Sequence, residues 1–347
     1  MGRTTGKKIM ARDPITHIVV MDGTLSTLRN GLETNAGLTY RLLSEIGQSS
    51  KISLNYIEGL QWPTWRGMIN VVAGVGINNQ IRRAYGYIAS RYRPGDRIFL
   101  FGFSRGAYAA RSLAGIIDQI GLLKSGHATE RHIRQVFRLY KQAEGGPFSE
   151  SFAAQYCHPA APIEMIGVWD TVKSLGIEYP LLWRLAPENT DFHSHGLGPS
   201  IRNGFHALAR DETRSAFAPV MWETTGDWAG HVEQAWFRGA HSDVGGDVRQ
   251  FLQARALSNI SLVWMLENAE KCGLTLPDAW RDRFPTDPFA PAYGRFRGLA
   301  KFYLFRKRRA MLIDPSEYLH PSAASAPETG QNRLPKMRPR LRHRGTV

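Results

Sequence analysis

The 347-residue sequence has only two cysteines, and it has no cluster of histidines and cysteines with metal-ligand spacing. Cys157 and Cys272 lie far apart, which predicts isolated structural thiols and no disulfide framework. His158 follows Cys157, but no second His/Cys cluster accompanies it, so we expect no zinc site. We also expect no other metal and no organic cofactor.

Long apolar runs are absent as well. No segment approaches the ~20 consecutive apolar residues of a transmembrane helix, and the N-terminal residues lack the apolar stretch of a secretory signal. We therefore expect a protein that is made soluble in the cytoplasm. Residues 1–15 are polar and basic and are predicted to be poorly ordered.

Acidic residues are scarce relative to basic ones. The chain has 44 Lys and Arg against 30 Asp and Glu, a formal net charge of +14. This balance favours binding to polyanions, either an anionic membrane surface or nucleic acid. Much of the excess lies at 306–309 and beyond residue 332, where a solvated basic end is an equally good explanation. Residues 311–347, rich in Pro, Ala, Ser and Arg towards their end, are predicted to form a surface tail.

The most informative stretch is residues 97–117. A short apolar run at 98–101 predicts a strand, Gly-Phe-Ser-Arg-Gly at 102–106 predicts a tight turn, and helical composition follows. This strand, turn and helix is similar to the nucleophile elbow of α/β-hydrolases, G-x-S-x-G. Ser104 is therefore the candidate nucleophile, and the N–H of Arg105 is a candidate donor to an oxyanion.

A second apolar strand, predicted at 16–21, runs into Asp22-Gly23-Thr24. In α/β-hydrolases the loop after an early strand supplies the other oxyanion N–H, and Gly23 or Thr24 could do so here. Asp22 is expected to hold this turn through hydrogen bonds to the backbone. Asp22 and Phe103 are also candidate substrate contacts.

The same stretch has a competing interpretation. It is close to the hhhDxDGT signature of phosphatases that use an aspartate nucleophile, in which the attacking Asp stands two residues before the second Asp. Val20 occupies that position here. Without the nucleophile the phosphatase interpretation loses its chemistry.

Two further predicted strands end at candidate acid and base residues. A strand at 163–169 ends at Asp170, and a strand at 233–237 leads into a glycine-rich loop that carries His241. Because the carboxyl ends of parallel strands meet at one edge of a sheet, we expect Ser104, Asp170 and His241 to lie close together. Their order in the chain, Ser then Asp then His, is that of α/β-hydrolases.

Two alternatives remain open at this point. His206 could be the base, although it opens a stretch, 206–214, that is predicted as a short helix with surface ion pairs. Asp243 could orient His241, but it is only two residues away. Capping of the turn is the favoured role for Asp243, with cation binding as another possibility.

The order of the elements predicts the fold. Helical patterns at 31–47 and 78–93 alternate with strands, which is typical of a mostly parallel, doubly wound α/β sheet with helices on both faces. We predict one hydrolase-like domain at 16–310. An irregular stretch at about 176–230 is predicted to form a small cap-like insertion.

Taken together, five blocks resemble the α/β-hydrolase domain of type VI secretion phospholipase effectors and their uncharacterised relatives. They occur in the family's order at 22–24, 102–107, 167–172, 206–212 and 241–246. The sequence departs from the usual family pattern at Met21, at Leu25-Ser26 and at Asp247, where a third glycine is usual.

The resemblance implies a serine esterase that acts on glycerophospholipid acyl chains, with Ser104, Asp170 and His241 at the triad positions. It also implies a lipid or ester substrate, export by a type VI system, and a secretion-apparatus or immunity partner if the protein is an effector. Two other functions stay open. One is hydrolysis of a small soluble ester, and the other is an inactive basic protein that docks on anionic membrane or nucleic acid.

Overall fold

The computed structural model describes residues 12–47, 51–59, 76–142, 146–172, 196–224, 228–294 and 305–324. The strands of this part of the chain form one parallel sheet in the order β2-β1-β3-β4-β5-β6-β7. Their bounds are β1 Thr16–Met21, β2 Ile52–Ile57, β3 Arg97–Phe103, β4 Ile163–Trp169, β5 Asn203–Ala209, β6 His231–Phe237 and β7 Glu317–Leu319.

Helices connect and cover these strands. Their bounds are α1 Asn35–Glu45, α2 Ile77–Ala89, α3 Arg105–Gln119, α4 Glu130–Lys141, α5 Pro147–Tyr156, α6 His241–Gly245, α7 Arg255–Lys271 and α8 Pro321–Ala324. Among the helices of the described residues, none combines the length and apolar character needed to cross a membrane.

The sheet separates two hydrophobic layers. Successive side chains of a strand point to opposite faces, and β1 shows this directly: Ile18 and Val20 pack in one layer, whereas Val19 and Met21 pack in the other. Helices α1 and α7 cover the first face, and α2, α3 and α4 cover the second. The predicted parallel α/β sheet with helices on both faces is therefore confirmed.

The strand order also fixes where a site can form. The chain passes from β1 to β2 on one side and then returns to place β3 on the other side of β1. The loops that follow β1 and β3 therefore start side by side at the carboxyl edge of the sheet, where the strand order reverses, and this is the usual ligand position in such folds.

The helix predicted at 206–214 is wrong. Residues Asn203–Ala209 form β5, paired on both sides with parallel strands. A parallel strand buried on both faces is apolar without alternation, so periodicity alone does not separate it from a helix. These residues lie inside the cap predicted at 176–230, and they belong to the sheet instead. Residues 176–195 and 225–227 of that range lie outside the described part.

The tail predicted from residue 311 also needs correction. Residues Glu317–Leu319 form β7, which pairs with β6 along Gln234–Trp236. A three-residue edge strand is too short to give a clear signal in a sequence. Residues 325–347 and 1–11 lie outside the described residues, so the predictions of a disordered N-terminus and a basic tail stay predictions there.

Candidate active site

Ser104 lies on a strained turn between β3 and α3. Its φ of 58° and ψ of −120° place a non-glycine residue in a backbone region that is costly for L-residues. The flanking glycines make the turn possible: a Cβ on Gly106 would lie 2.1 Å from the carbonyl oxygen of Met21, and one on Gly102 would lie 2.6 Å from the Cα of Ala107. Backbone meets backbone at both positions, so only glycine fits.

Three side chains from the ends of different strands form a continuous hydrogen-bonded chain. The Oγ of Ser104 is 2.9 Å from Nε2 of His241, and Nδ1 of His241 is 2.6 Å from Oδ2 of Asp170. All three side chains are buried. The other carboxylate oxygen of Asp170 accepts the N–H of Ala209 at 2.9 Å, which anchors it to the end of β5.

The loop after β1 is held by Asp22. This buried carboxylate accepts hydrogen bonds from the N–H of Gly23 (2.6 Å), from the hydroxyl of Thr34 (2.8 Å) and from the hydroxyl of Tyr56 (2.7 Å). Burial raises the pKa of Asp22. The structural role predicted for Asp22 is confirmed by these bonds. They also engage the N–H of Gly23, whereas the buried hydroxyl of Thr24 has no hydrogen-bond partner in the structure as described.

Phe103 packs directly behind the histidine. Its ring centroid is 4.9 Å from that of His241. The ring also fills the space where a side chain on Gly245 would stand, since a Cβ there would lie 1.8 Å from it; the corresponding distance for Gly23 is 2.8 Å. The position of the Phe103 ring is thus explained by its packing against His241 and the glycines. A contact between Phe103 and a substrate stays a prediction.

The loop that carries His241 is fixed by Asp243. One oxygen of this carboxylate accepts the N–H of Ala240 (2.9 Å) and that of Gly294 (3.1 Å), and the other accepts the N–H of Tyr293 (2.5 Å). Asp243 therefore caps the turn at the start of α6, as predicted from the sequence.

A second set of polar anchors follows β5. The N–H of Gly239 donates to Asp211 at 2.8 Å, and the N–H of His241 donates to Glu212 at 3.2 Å. Glu212 is itself paired with Arg214, at 2.6 Å between Nη2 and Oε2, in a fully buried position. Burial alone would raise the pKa of Glu212, but the pair with Arg214 lowers it to about 2. The ion pairs predicted here for the surface are therefore interior supports of the histidine loop.

His206 has a different environment from His241. It is fully buried in β5, and its Nε2 accepts the N–H of Thr171 at 3.1 Å. Burial and the nearby charge of Arg111 lower its pKa to about 3, so the ring is neutral. His241 is thus the imidazole in contact with Ser104, and His206 bonds to backbone.

Arg309 is the site residue that the sequence did not reveal. It belongs to the basic run at 306–309, yet its side chain is 4% exposed and forms a two-pronged ion pair with Asp170. Burial alone would raise the pKa of Asp170, but Arg309 and the hydrogen bond with His241 hold it well below its usual range. No local pattern signals this pair, because its members are 139 residues apart in the chain.

A groove lies beside the loop that follows Thr24. It has a volume of about 770 Å³, which is in the range of sites for small organic ligands. Its lining combines apolar side chains with a carboxylate and a guanidinium, and it includes Leu25, Leu32, Asp247, Arg249, Phe251 and Tyr293. Among the described residues, no group of three or more His, Cys, Asp or Glu side chains could hold a metal ion.

Comparison with known families identifies the chain. Residues 16–268 match the family model described as T6SS phospholipase effector Tle1-like, catalytic domain. The chain belongs to this family. The matched range runs from β1 to within α7, and so it includes Ser104, Asp170 and His241 but not Arg309.

Individual relatives are more distant. An uncharacterized protein of Saccharomyces cerevisiae, YEL023C, is 29% identical over 236 residues, which are 59% of this chain and 32% of that protein. An uncharacterized protein from Pseudomonas aeruginosa of known structure is 15% identical with a TM-score of 0.42, covering 79% of this chain and 49% of that one. The Tle1 effector, solved bound to the VgrG spike, is 19% identical with a TM-score of 0.36, covering 67% and 51%. The chain thus spans about half or less of each relative.

Proposed function

We propose that this chain is a serine hydrolase that cleaves carboxylic esters of glycerophospholipids. The observation that carries the proposal is the hydrogen-bonded chain from Asp170 through His241 to Ser104, at the carboxyl edge of a parallel sheet. Each member has the residue type and the neighbour that acyl transfer by a serine requires. Membership in a phospholipase effector family supports the lipid as substrate.

In the proposed mechanism, Oγ of Ser104 attacks the ester carbonyl while Nε2 of His241 takes its proton. Asp170, bonded to Nδ1, fixes the tautomer of His241 and stabilises the imidazolium. The tetrahedral intermediate then expels the alcohol, which receives the proton from His241, and an acyl group remains on Ser104. Water attacks this ester with His241 again as base, and the fatty acid leaves.

The developing oxyanion needs donors that are already aimed at it. The N–H of Arg105 directly follows Ser104 at the N-terminus of α3, where the helix dipole favours negative charge. For the second donor the loop after β1 favours Thr24, because the N–H of Gly23 is bonded to Asp22. The groove beside this loop, with Leu32 and Phe251 in its wall, offers an apolar surface for an acyl chain.

The experiment compares the wild-type protein with Ser104→Ala on phosphatidylglycerol vesicles and on a short-chain nitrophenyl ester, following acid release. Ser112→Ala is the matched control, since Ser112 lies in α3, the helix that follows Ser104, and its hydroxyl donates to the carbonyl of Tyr108. We expect Ser104→Ala to lose at least about 10³-fold in kcat on vesicles, and Ser112→Ala to keep its activity.

Other outcomes change the conclusion. Turnover of the soluble ester alone would replace the phospholipid with a small soluble substrate. If the wild type cleaves neither substrate, or if Ser104→Ala keeps full activity, the proposed hydrolase is wrong. Delivery as an effector is a separate proposal that rests on family membership, and it is tested by secretion in a strain with and without its type VI apparatus.

A further inference from the structure

Arg309 approaches the proposed triad from the far end of the chain. It lies between Phe305 and β7, and both of its terminal nitrogens face the same carboxylate: Nη1 is 2.5 Å from Oδ1 of Asp170, and Nη2 is 2.9 Å from Oδ2. A planar guanidinium matches a carboxylate in this two-pronged way, and a lysine ammonium does not. The pair therefore fixes the plane of the Asp170 carboxylate as well as its charge.

The same guanidinium binds two carbonyl groups. Nη1 donates to Ala209 at the end of β5 (3.0 Å), and Nη2 donates to Phe217 (2.5 Å). The ring of Phe217 in turn lies edge-on to His241, with 4.9 Å between ring centroids. Arg309 thus contacts both the hydrogen-bond partner of His241 and the residue that packs against its ring.

We propose that Arg309 is a positioning residue, which acts on the reaction by holding Asp170 ionised and aimed at Nδ1 of His241. The inference rests on the proposed roles of Ser104, Asp170 and His241. A buried carboxylate without a cation beside it is an uncompensated charge, and its ionised form is then strongly destabilised. With Arg309 in place, Asp170 can accept the hydrogen bond of His241 both before and after His241 gains the serine proton.

This inference can be tested without knowledge of the natural substrate. A fluorophosphonate reacts with an activated serine: the bond from Oγ of Ser104 to phosphorus forms, the P–F bond breaks, fluoride leaves, and His241 takes the serine proton. The second-order rate of this labelling reports how well Ser104 is activated. Failure to cleave phospholipid would leave the rate measurable, so the two proposals fail separately.

The variants are chosen to separate position from charge. Arg309→Gln should lower the labelling rate about 100-fold, and Arg309→Lys, which keeps the buried charge but not the fork, about tenfold. Lys307→Gln is the matched control, because Lys307 is exposed and only two residues away; it should label at the wild-type rate. If Arg309→Gln does not fold, Arg309→Lys still carries the comparison.

A double-mutant cycle distinguishes a positioning residue from a merely structural one. In an Asp170→Asn background Arg309 has no carboxylate to hold, so adding Arg309→Gln should lower the labelling rate less than about threefold further. If the fold losses of the two single variants multiply in the double variant, Arg309 acts independently of Asp170, and the inference is wrong. Wild-type labelling in both Arg309 variants would overturn it equally.

Discussion

The two halves of the candidate site are held in place by different interactions. Around Ser104, main chain packs on main chain, and the glycines at 102 and 106 allow the approach. Around Asp170 and His241, side-chain charges from distant segments carry the structure, chiefly Glu212 with Arg214 and Arg309. The first half should therefore be sensitive to added volume, and the second to pH and to loss of charge.

The largest effect is expected in the second half. Asp170→Asn should lower kcat by about 10⁴-fold, because the amide favours the wrong tautomer of His241. Asp96→Asn is the control: Asp96 is also buried and bonded to an imidazole, that of His17, but it lies at the amino end of β3. Rates are compared per mole of folded protein. If Asp170→Asn kept a tenth of the wild-type kcat, Asp170 would not be the orienting acid.

In the first half, adding a single methyl group tests the packing of main chain on main chain. Gly106→Ala places a Cβ 2.1 Å from the carbonyl oxygen of Met21, and neither backbone can move freely, so we expect about 3 kcal/mol or more of lost stability. Gly126→Ala, where nothing lies within 4 Å of the new atom, should change stability by less than about 0.5 kcal/mol. Urea unfolding of both variants checks this, and equal midpoints would remove the packing argument.

Glu212→Gln tests how far the stability of the second half depends on charge. Removing one partner of this buried pair should cost about 3 kcal/mol at neutral pH. Glu130→Gln, in an exposed pair with Arg134 whose side chains are 63% and 64% exposed, should cost less than about 0.5 kcal/mol.

The sign of the pH dependence follows from the lowered pKa of Glu212. Its pKa is about 2 in the folded protein, against about 4.3 when unfolded. The contribution of the charged pair to stability is therefore full above about pH 5 and is lost as the pH falls towards 2. The difference in unfolding free energy between wild type and Glu212→Gln should shrink over that interval, and a constant difference would contradict the role of the charge.

The smallest expected effect concerns Phe217. Its ring packs edge-on against His241 and under the guanidinium of Arg214, at 3.7 Å. Phe217→Leu should lower kcat about fivefold, the equivalent of about 1 kcal/mol of aromatic contact. Phe305→Leu, at a ring that is 57% exposed, should leave kcat unchanged. Equal kcat values for the two variants would show that the ring does not help to hold His241.

The sequence determined the parts that depend on neighbours in the chain. The elbow at 102–106, the turn at Asp22 and the strand that ends at Asp170 each carry a short pattern whose backbone requirement can be recognised locally. The expectation that Ser104, Asp170 and His241 lie close together then followed from the rule that parallel strands end at one edge. Only the tertiary structure decided that β5 is a strand and that 317–319 join the sheet, because burial on both faces and edge pairing leave no periodic signal.

The buried charged residues could not be predicted from the sequence for the same reason. Glu212, Arg214 and Arg309 resemble surface residues in sequence, since an ionised side chain is stable in water without a partner. Their burial depends on partners that only folding supplies, and for Arg309 that partner lies 139 residues earlier in the chain. A charge is buried only where an opposite charge and hydrogen-bond acceptors compensate it, and that compensation is a property of the fold.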